Sequence, residues 1–348
     1  MRFNNVAIES LGYHLPENVV TSSALEERLK PLYDRLKLPE GRLEMMSGIK
    51  ERRFWNEGTL PSQVGSLAGE NALAQSDLDR NDIGCLISAS VCRDFLEPAT
   101  ASVVHHKLKL SKDCQVFDIS NACLGVLNGM VHIAGMIELG QIRAGLVVAG
   151  ENGGPLVHTT IEALLADPNP TRSKIKTSFA SLTIGSAAVA VLLTHKSLSS
   201  SGHRLVGGES RADTKFNDLC RGNQDSGMGS NASPLMETDA ETLMKEGCIL
   251  AQETWDLTKA TLDWTNEDVD KVIGHQVGSQ HRKRMMESLN LELEKDFSTL
   301  EFLGNTGAAA LPVTLALAAE KRFVQAGDKV ALFGIGSGLN CLMLGVEW

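Results

Sequence analysis

Cys123 is the side chain of this sequence best placed to act as a nucleophile. It lies in DISNACLGVLNGM, where an extended apolar segment runs into a helical pattern that begins near Ala122. With Asn121 as the helix N-cap, the thiol stands in the first turn, where the helix dipole and free N–H groups favour a thiolate. A thiolate attacks acyl groups and holds them as activated thioesters. The structural alternative is a small buried hydrophobic residue, the usual fate of a free cysteine.

Two polar residues of the second half follow a predicted strand end and a glycine-containing turn. His275, in DKVIGHQVGSQ, comes directly after an apolar strand, where it could act as a general acid or base or donate to an oxyanion. Asn305, in FLGNTGAAALP, could donate its amide N–H to an enolate or carbonyl oxygen. The structural alternatives are a hydrogen-bonded strand-end residue for His275 and a helix N-cap for Asn305. For Asn305 both roles are compatible.

A glycine-rich turn, LFGIGSGLN, follows another apolar strand near the end of the sequence. Its glycines allow the backbone to approach another segment closely. A dinucleotide-binding loop would need a helix after this turn in a βαβ unit, and the sequence reaches Trp348 first. We therefore predict that the N–H of Ser337 points into the site and forms an oxyanion hole with the N–H of Cys123.

Glu97 is a carboxylate in SVCRDFLEPATASVV, between a predicted strand and a predicted helix. Pro98 suits the first position of that helix, so the structural interpretation of Glu97 is a charge at a helix N-terminus or in solvent. His105 and His106 are adjacent and face different sides of a helix. Because no His, Cys, Asp or Glu residues have metal-ligand spacing, we expect no metal site.

The two halves of the sequence repeat the same order of strands and helices. Asn121 and Asn305 are 184 positions apart, and so are Leu78 and Leu262. A constant offset over several elements indicates an internal duplication. If the halves superpose, the strand-end loops that carry Cys123, His275 and Asn305 meet at the pseudo-twofold axis. This convergence is the structural reason for grouping the three residues.

The alternation of short apolar runs with helical patterns indicates an α/β fold in layers, with helices covering sheets. We predict an N-terminal half at 1–177, which includes a cap insertion, and a C-terminal half at 178–348, packed as one compact unit. Two polar stretches, 151–177 and 210–233, are interpreted as surface loops or cap segments.

Composition excludes some classes of protein. The chain has 348 residues, 43% of them apolar and 22% charged, which is ordinary for a globular protein. A formal net charge of -10 argues against a nucleic-acid surface. Seven scattered cysteines without C-x-x-C spacing fit reduced thiols. With no apparent signal peptide and no apolar run long enough to span a membrane, we expect a cytoplasmic protein.

Together these motifs resemble the ketoacyl-ACP synthase III branch of the thiolase superfamily, over essentially the full chain. LGYHLPENVVTSSALEERL and SGIKERR resemble its N-terminal region, DISNACLG its nucleophile motif, and GHQVGSQ and GNTGAAALP its His and Asn motifs. The resemblance implies a thiolase fold, with duplicated βαβαβ-type halves in an αβαβα arrangement, and a Cys123, His275 and Asn305 active site. Elongating synthases of the superfamily have two His, and thiolases have a second catalytic Cys before the glycine-rich turn, whereas Cys341 follows it.

Within the branch the chain is most similar to the OleA type, through SVCRDFLEPATAS, CRGN at 220–223 and LFGIGSGLNCLM. Enzymes of this type join two fatty acyl-CoAs head to head without decarboxylation, giving a 2-alkyl-3-ketoacyl product for olefin or ketone biosynthesis. The resemblance implies a homodimer in which Glu97 enters the partner subunit's active site. There it is the base that removes an α-proton, a step that a decarboxylating synthase does not need. It also implies a CoA thioester as substrate and no cofactor.

Two alternatives stay open at this point. One is a decarboxylative condensation of an acyl group with malonyl-ACP, as in ketoacyl-ACP synthase III itself, and the other is a non-catalytic subunit of a condensing complex. Arg42 and Met46 stand where acetyl-CoA-using members carry the Trp and Arg that hold the adenine, so the carrier is either CoA or ACP. The residues before Asn305 are Phe302, Leu303 and Gly304 rather than the usual His-Gly.

Overall fold

A computed structural model of the chain describes residues 1–222 and 235–348. The strands are β1 (Val6–His14), β2 (Asn18–Thr21), β3 (Glu51–Phe54), β4 (Ile83–Ser88), β5 (Gln115–Asp118), β6 (Ala144–Glu151), β7 (Ala187–His195), β8 (Arg204–Ala212), β9 (Cys220–Gly222), β10 (Met236–Thr238), β11 (Lys271–Gly274), β12 (Lys329–Gly336) and β13 (Asn340–Glu347). The α-helices are α1 (Ser22–Arg28), α2 (Lys30–Leu36), α3 (Arg42–Ser47), α4 (Pro61–Leu73), α5 (Thr100–Leu108), α6 (Gly125–Glu138), α7 (Gly154–Ala166), α8 (Arg172–Ser178), α9 (Ala240–Leu262), α10 (Ser279–Ser288), α11 (Leu300–Leu303) and α12 (Ala310–Glu320).

In the described ranges, nine strands form one mixed sheet in the order β11-β12-β13-β8-β1-β7-β6-β4-β5. Read inward from one edge, the strands of the first half are β5-β4-β6-β7-β1. Read inward from the other edge, the strands of the second half are β11-β12-β13-β8, which correspond to β4-β6-β7-β1. A parallel bridge between Val272 and Asp296 lies beside β11, at the position that β5 occupies in the first half. The strand order therefore divides the halves between β7 and β8, whereas the sequence-based division at 177/178 falls within α8.

Helices cover the two halves of the sheet on both faces. On β4, Leu86 packs against α4 and α5, while the next residue, Ile87, packs in the cluster that contains α6 and α12. On β12, Phe333 faces Leu250 of α9 on the other outer side. The α6 sequence, GVLNGMVHIAGMIE, is apolar on most of its surface, as expected for a helix enclosed between the two halves of the sheet. The two halves of the sheet pack against α6 and α12 from opposite sides, so the layers are α, β, α, β and α, which confirms the predicted fold class.

The stretch 151–177 is mainly helical rather than a loop. Its helices α7 and α8 lie beside α1 and α2, and Val157 and Ile161 of α7 are buried with Leu25 and Leu32. Their i, i+4 spacing puts both apolar residues of α7 on one helical face, among polar neighbours that masked the pattern in the sequence. In the stretch 210–233, residues up to 212 complete β8 and β9 follows, while residues 223–234, including Asn223 of CRGN, lie outside the described residues.

All seven cysteines are free thiols. None of the helices in the described ranges has both the length and the apolar character needed to cross a membrane.

Candidate active site

Cys123 lies in a tight turn between β5 and α6. The turn is a 3-10 helix at Ala122–Leu124, and α6 continues directly from it. Ala122 has a φ of 45°, a left-handed conformation that is uncommon for a residue other than glycine. Gly125 lets the turn approach β4, since a Cβ on Gly125 would stand 2.2 Å from the carbonyl oxygen of Ala89. Backbone geometry therefore holds the nucleophile candidate at one place above the sheet.

Two sequence-based expectations about Cys123 are corrected. The Asn121 side chain makes no capping bond: its Oδ1 accepts from Asn340 at 3.3 Å, and its Nδ2 donates to Oδ1 of Asn128 at 2.7 Å. Burial, with the charge of Glu151 as a second cause, raises the pKa of Cys123 to about 12 rather than favouring a thiolate. The free N–H groups of the turn do not offset the loss of water around the sulfur.

The glycine-rich turn after β12 lies against the Cys123 turn. A Cβ on Gly336 would be 3.6 Å from the backbone nitrogen of Cys123 and 3.7 Å from its Cβ. Ser337, the next residue, is half-buried at this contact, and its carbonyl accepts a bond of 3.1 Å from Asn340 Nδ2. The same Nδ2 atom donates to Oδ1 of Asn121 at 3.3 Å. The turn that carries Ser337 is thus joined to the turn that carries Cys123.

His275 follows β11 and is buried. Its backbone N–H donates to the carbonyl of Phe333 on β12 at 3.0 Å, which places it beside the same strand that leads to Ser337. Burial, and then the neighbouring His281, lower the pKa of His275 to about 3, so the imidazole is neutral near pH 7. A neutral imidazole has one N–H to donate and one nitrogen that accepts. His275 and His281 line one cavity with Arg282 and Asp296.

Asn305 is held by the first half of the chain. Its N–H donates to the carbonyl of Thr183 at 3.0 Å, and its own carbonyl accepts from Gly185 at 2.8 Å. Its Oδ1 accepts the N–H of Gly307 at 3.0 Å, which orients the side-chain amide. Thr306 and Ala309, rather than Asn305, occupy the N-cap positions of the turn at Gly307–Ala309 and of α12. That turn packs against the Cys123 turn, so Asn305 enters the same cluster.

Glu97 lies apart from this cluster, on the surface. The side chains that precede it are exposed as well, with 52% of Phe95 and 44% of Leu96 accessible to solvent. The sequence indicated Pro98 as the first residue of helix α5, but the helix begins at Thr100. The structure therefore packs the Ser337 turn and the turn after Asn305 against the Cys123 turn and places His275 beside β12. Glu97 stays on an exposed apolar segment.

Three residues of this region were missed by the sequence analysis. Gln276 accepts three bonds at Oε1, from Ser298, Thr299 and Leu300, and so ties the His275 strand end to α11. Asn340 joins the two turns described above. Glu151 is a buried carboxylate at the end of β6. The signals available were a polar residue directly after His275 and an acid that closes the apolar run AGLVVAGE.

Among the described residues, no group of three or more His, Cys, Asp or Glu side chains has the arrangement to hold a metal ion.

Models of known families match both halves of the chain. The model for 3-oxoacyl-(acyl-carrier-protein) synthase III matches residues 117–214, and the model for the C-terminal region of the same family matches 259–348. The first range contains Cys123, and the second contains His275 and Asn305.

Full-length relatives agree with these models. An acyl-CoA:acyl-CoA alkyltransferase of Shewanella oneidensis is 46% identical and one of Xanthomonas campestris is 37% identical, with 100% of each chain covered. A beta-ketoacyl-(acyl-carrier-protein) synthase III of Aliarcobacter butzleri is 27% identical over 96% of this chain and 95% of its own.

Solved structures of Xanthomonas campestris OleA superpose on the chain. The cerulenin-bound form has a TM-score of 0.94 at 37% identity and covers 100% of this chain and 98% of its own. A variant form with bound lauric acid and lauroyl-CoA has a TM-score of 0.93, with 99% and 100% covered. The chain therefore belongs to the 3-oxoacyl-(acyl-carrier-protein) synthase III family, on its acyl-CoA:acyl-CoA alkyltransferase branch, which confirms the resemblance found in the sequence.

Proposed function

We propose that this chain is an acyltransferase that joins two fatty acyl-CoAs by non-decarboxylative Claisen condensation into a 2-alkyl-3-ketoacyl product. The observation that carries the proposal is the 46% identity to an acyl-CoA:acyl-CoA alkyltransferase over the whole length of both chains. CoA thioesters are the substrates, and the chemistry requires no further cofactor.

In the first half-reaction, Cys123 attacks the carbonyl carbon of one acyl-CoA. The N–H groups of Cys123 and Ser337 hold the oxyanion. The C–S bond to CoA then breaks, CoA leaves as a thiol that carries the proton lost by Cys123, and the acyl group stays as a thioester. Because the pKa of Cys123 is raised to about 12 by burial, this proton must be removed during the attack rather than before it.

In the second half-reaction, His275 and Asn305 hold the carbonyl oxygen of the second acyl-CoA. Neutral His275 donates its N–H, and Asn305 donates its side-chain amide. Glu97 of the partner subunit removes the α-proton, and the resulting enolate carbon bonds to the carbonyl carbon of the acyl-Cys123. The C–S bond to Cys123 breaks and regenerates the thiolate, which takes up the proton.

The proposed role of Glu97 requires a homodimer, in which Glu97 of one subunit enters the active site of the other. In the single chain Glu97 is exposed beside Phe95 and Leu96, two apolar residues at the surface. Exposed apolar residues grouped on one segment favour burial against another molecule, and here a second copy would receive Glu97 in its own site.

The first test supplies the purified protein with lauroyl-CoA and no malonyl donor, and follows free CoA and products by mass spectrometry. A head-to-head β-keto acid, or the ketone it decays to, is the expected result. If acyl-Cys123 accumulates until malonyl-ACP or malonyl-CoA is added, the chain is a decarboxylating synthase. If no acyl-Cys123 forms at all, it is a non-catalytic subunit.

The second test separates the two half-reactions. Glu97→Gln is expected to form acyl-Cys123 at the wild-type rate and to lose condensation, whereas Cys123→Ala forms no acyl-enzyme. Glu292→Gln, another exposed glutamate, serves as the matched control and should keep both steps. Normal condensation by Glu97→Gln would remove Glu97 from the mechanism.

A further inference from the structure

Glu151 is a buried carboxylate that the proposed mechanism does not use. It ends β6, in register with Ala187 of β7, and only 3% of it is accessible to solvent. Trp55 fixes its backbone by donating from Nε1 to the carbonyl of Glu151 at 2.9 Å. An ionisable side chain taken out of water costs free energy, so its bonds must compensate.

Those bonds run to two segments that carry other candidate residues. Oε1 of Glu151 accepts the N–H of Val91 at 2.8 Å, and Oε2 accepts the N–H of Cys92 at 3.3 Å. Val91 and Cys92 begin the segment that leads to Glu97. Oε1 also accepts the N–H of Ala308 at 3.2 Å, in the turn that follows Asn305.

The fit around the carboxylate is close. A Cβ on Gly307 would stand 3.1 Å from Cδ of Glu151, so this turn passes directly over the side chain. The three donors are backbone N–H groups, which bond most strongly to an ionised carboxylate. Burial raises the pKa of Glu151, while these N–H groups act in the opposite direction.

Among residues 1–222 and 235–348, the titratable groups coupled to this carboxylate are thiols. Burial raises the pKa of Cys123 and of Cys92, and the charge of Glu151 raises the pKa of both thiols further. Cys220 of β9 adds a further effect of the same sign on Cys123. A change of charge at Glu151 should therefore be measurable as a change in the pKa of Cys123.

We propose that Glu151 is a positioning residue. Its bonds to Val91 and Cys92 hold the segment that leads to Glu97, which serves the partner's site, and its bond to Ala308 holds the Asn305 turn, which serves the site of Cys123. The inference rests on the proposed function, because the condensation step alone needs both of those segments. Acylation of Cys123 needs neither, so loss of Glu151 separates the two half-reactions.

Two substitutions and one control test this. In Glu151→Gln the amide oxygen can accept from Val91 and Ala308, while the NH₂ group meets the N–H of Cys92 and the charge is lost. Glu151→Ala removes all three acceptor bonds. Glu9→Gln is the matched control, since Glu9 is 5% accessible and accepts bonds from Ser199 and Ser200, beyond the opposite end of β7.

Three measurements are made on the full-length protein: the rate of acyl-Cys123 formation from lauroyl-CoA, the rate of condensation from the preformed acyl-enzyme, and the pH profile of Cys123 alkylation by iodoacetamide. Glu151→Ala is expected to slow condensation about 100-fold, the effect of misplaced reacting groups, and acylation less than about tenfold. Glu151→Gln is expected to slow condensation about tenfold and to move the alkylation profile to lower pH, because a negative charge near the thiol is gone.

The proposal is overturned if Glu151→Gln matches Glu9→Gln in both the alkylation profile and the ratio of the two half-reactions. Equal losses in both half-reactions for a folded Glu151→Gln protein would also overturn it, since they indicate general disorder. If the wild-type protein condenses nothing, the proposed function fails, and the alkylation profile still decides whether Glu151 acts on Cys123. If Glu151→Ala does not fold, Glu151→Gln alone decides the outcome.

Discussion

Asn340 donates a hydrogen bond from Nδ2 to Oδ1 of Asn121 over 3.3 Å, although 219 positions separate the two residues in the chain. Nδ2 of Asn121 in turn donates a hydrogen bond of 2.7 Å to Oδ1 of Asn128 on α6. Because Asn340 also binds the carbonyl of Ser337, this chain of amides joins the proposed oxyanion-hole turn to the turn of Cys123.

Asn340→Asp should slow acylation of Cys123. The change replaces the Nδ2 donor by a carboxylate oxygen that faces Oδ1 of Asn121 and the carbonyl oxygen of Ser337. Losing these two half-buried hydrogen bonds costs about 1 to 2 kcal/mol, which corresponds to a roughly tenfold slower step. Single-turnover mass spectrometry with lauroyl-CoA measures it. Asn18→Asp, which alters an exposed amide pair with Asn56, is the control. Equal rates in the two variants would show that the Asn121 connection has no part in acylation.

Substitution of two different glycines of α6 by alanine should change the free energy of unfolding in opposite directions. Gly125→Ala puts a Cβ 2.2 Å from the carbonyl oxygen of Ala89, so it should destabilise the fold by about 1 to 3 kcal/mol and displace Cys123. Gly135→Ala meets no atom within 4 Å and should stabilise the helix by about 0.5 to 1 kcal/mol. Urea unfolding of both variants measures the difference, and a Gly125→Ala protein as stable as Gly135→Ala contradicts the close packing.

Gln276→Leu should be strongly destabilising. It deprives the buried N–H groups of Thr299 and Leu300 of the Oε1 acceptor, at a cost of about 2 to 5 kcal/mol. Condensation should fall further than acylation, because Gln276 connects the segment of His275 to α11. Gln75→Leu removes an exposed glutamine with two hydrogen bonds and should cost less than about 1 kcal/mol. Similar losses of unfolding free energy in the two variants would argue against a special role for Gln276.

His281 should make the fold sensitive to acid. Burial lowers its pKa from 6.5 to about 4, so between these values the unfolded chain binds a proton that the folded chain does not. Its stabilising contribution is complete above pH 6.5 and is lost as the pH falls toward 4. His281→Gln should therefore reduce the loss of unfolding free energy between pH 7.5 and pH 5 by about 1 to 2 kcal/mol. Exposed His106→Gln is the control, and an unchanged pH dependence in His281→Gln contradicts the assignment.

The sequence alone was enough for the fold class, and it singled out Cys123, His275 and Asn305 as candidates for the site. Strand and helix patterns are local, and the 184-residue offset between Asn121 and Asn305 reports a duplication that the strand order repeats. Cys123, His275 and Asn305 stand in motifs whose residue types are visible without coordinates. Their catalytic roles stay proposals.

The tertiary structure decided what depends on distant partners and on the removal of water. The sequence predicted a thiolate at Cys123 from its helix position, but burial and the charge of Glu151 hold the proton on the sulfur. Glu151 itself looks like the last residue of a strand until Val91 and Ala308 are seen to donate to it. A periodic sequence pattern predicts which way a side chain points within its own helix or strand. The solvation of that side chain and its long-range hydrogen bonds arise only when the elements pack together.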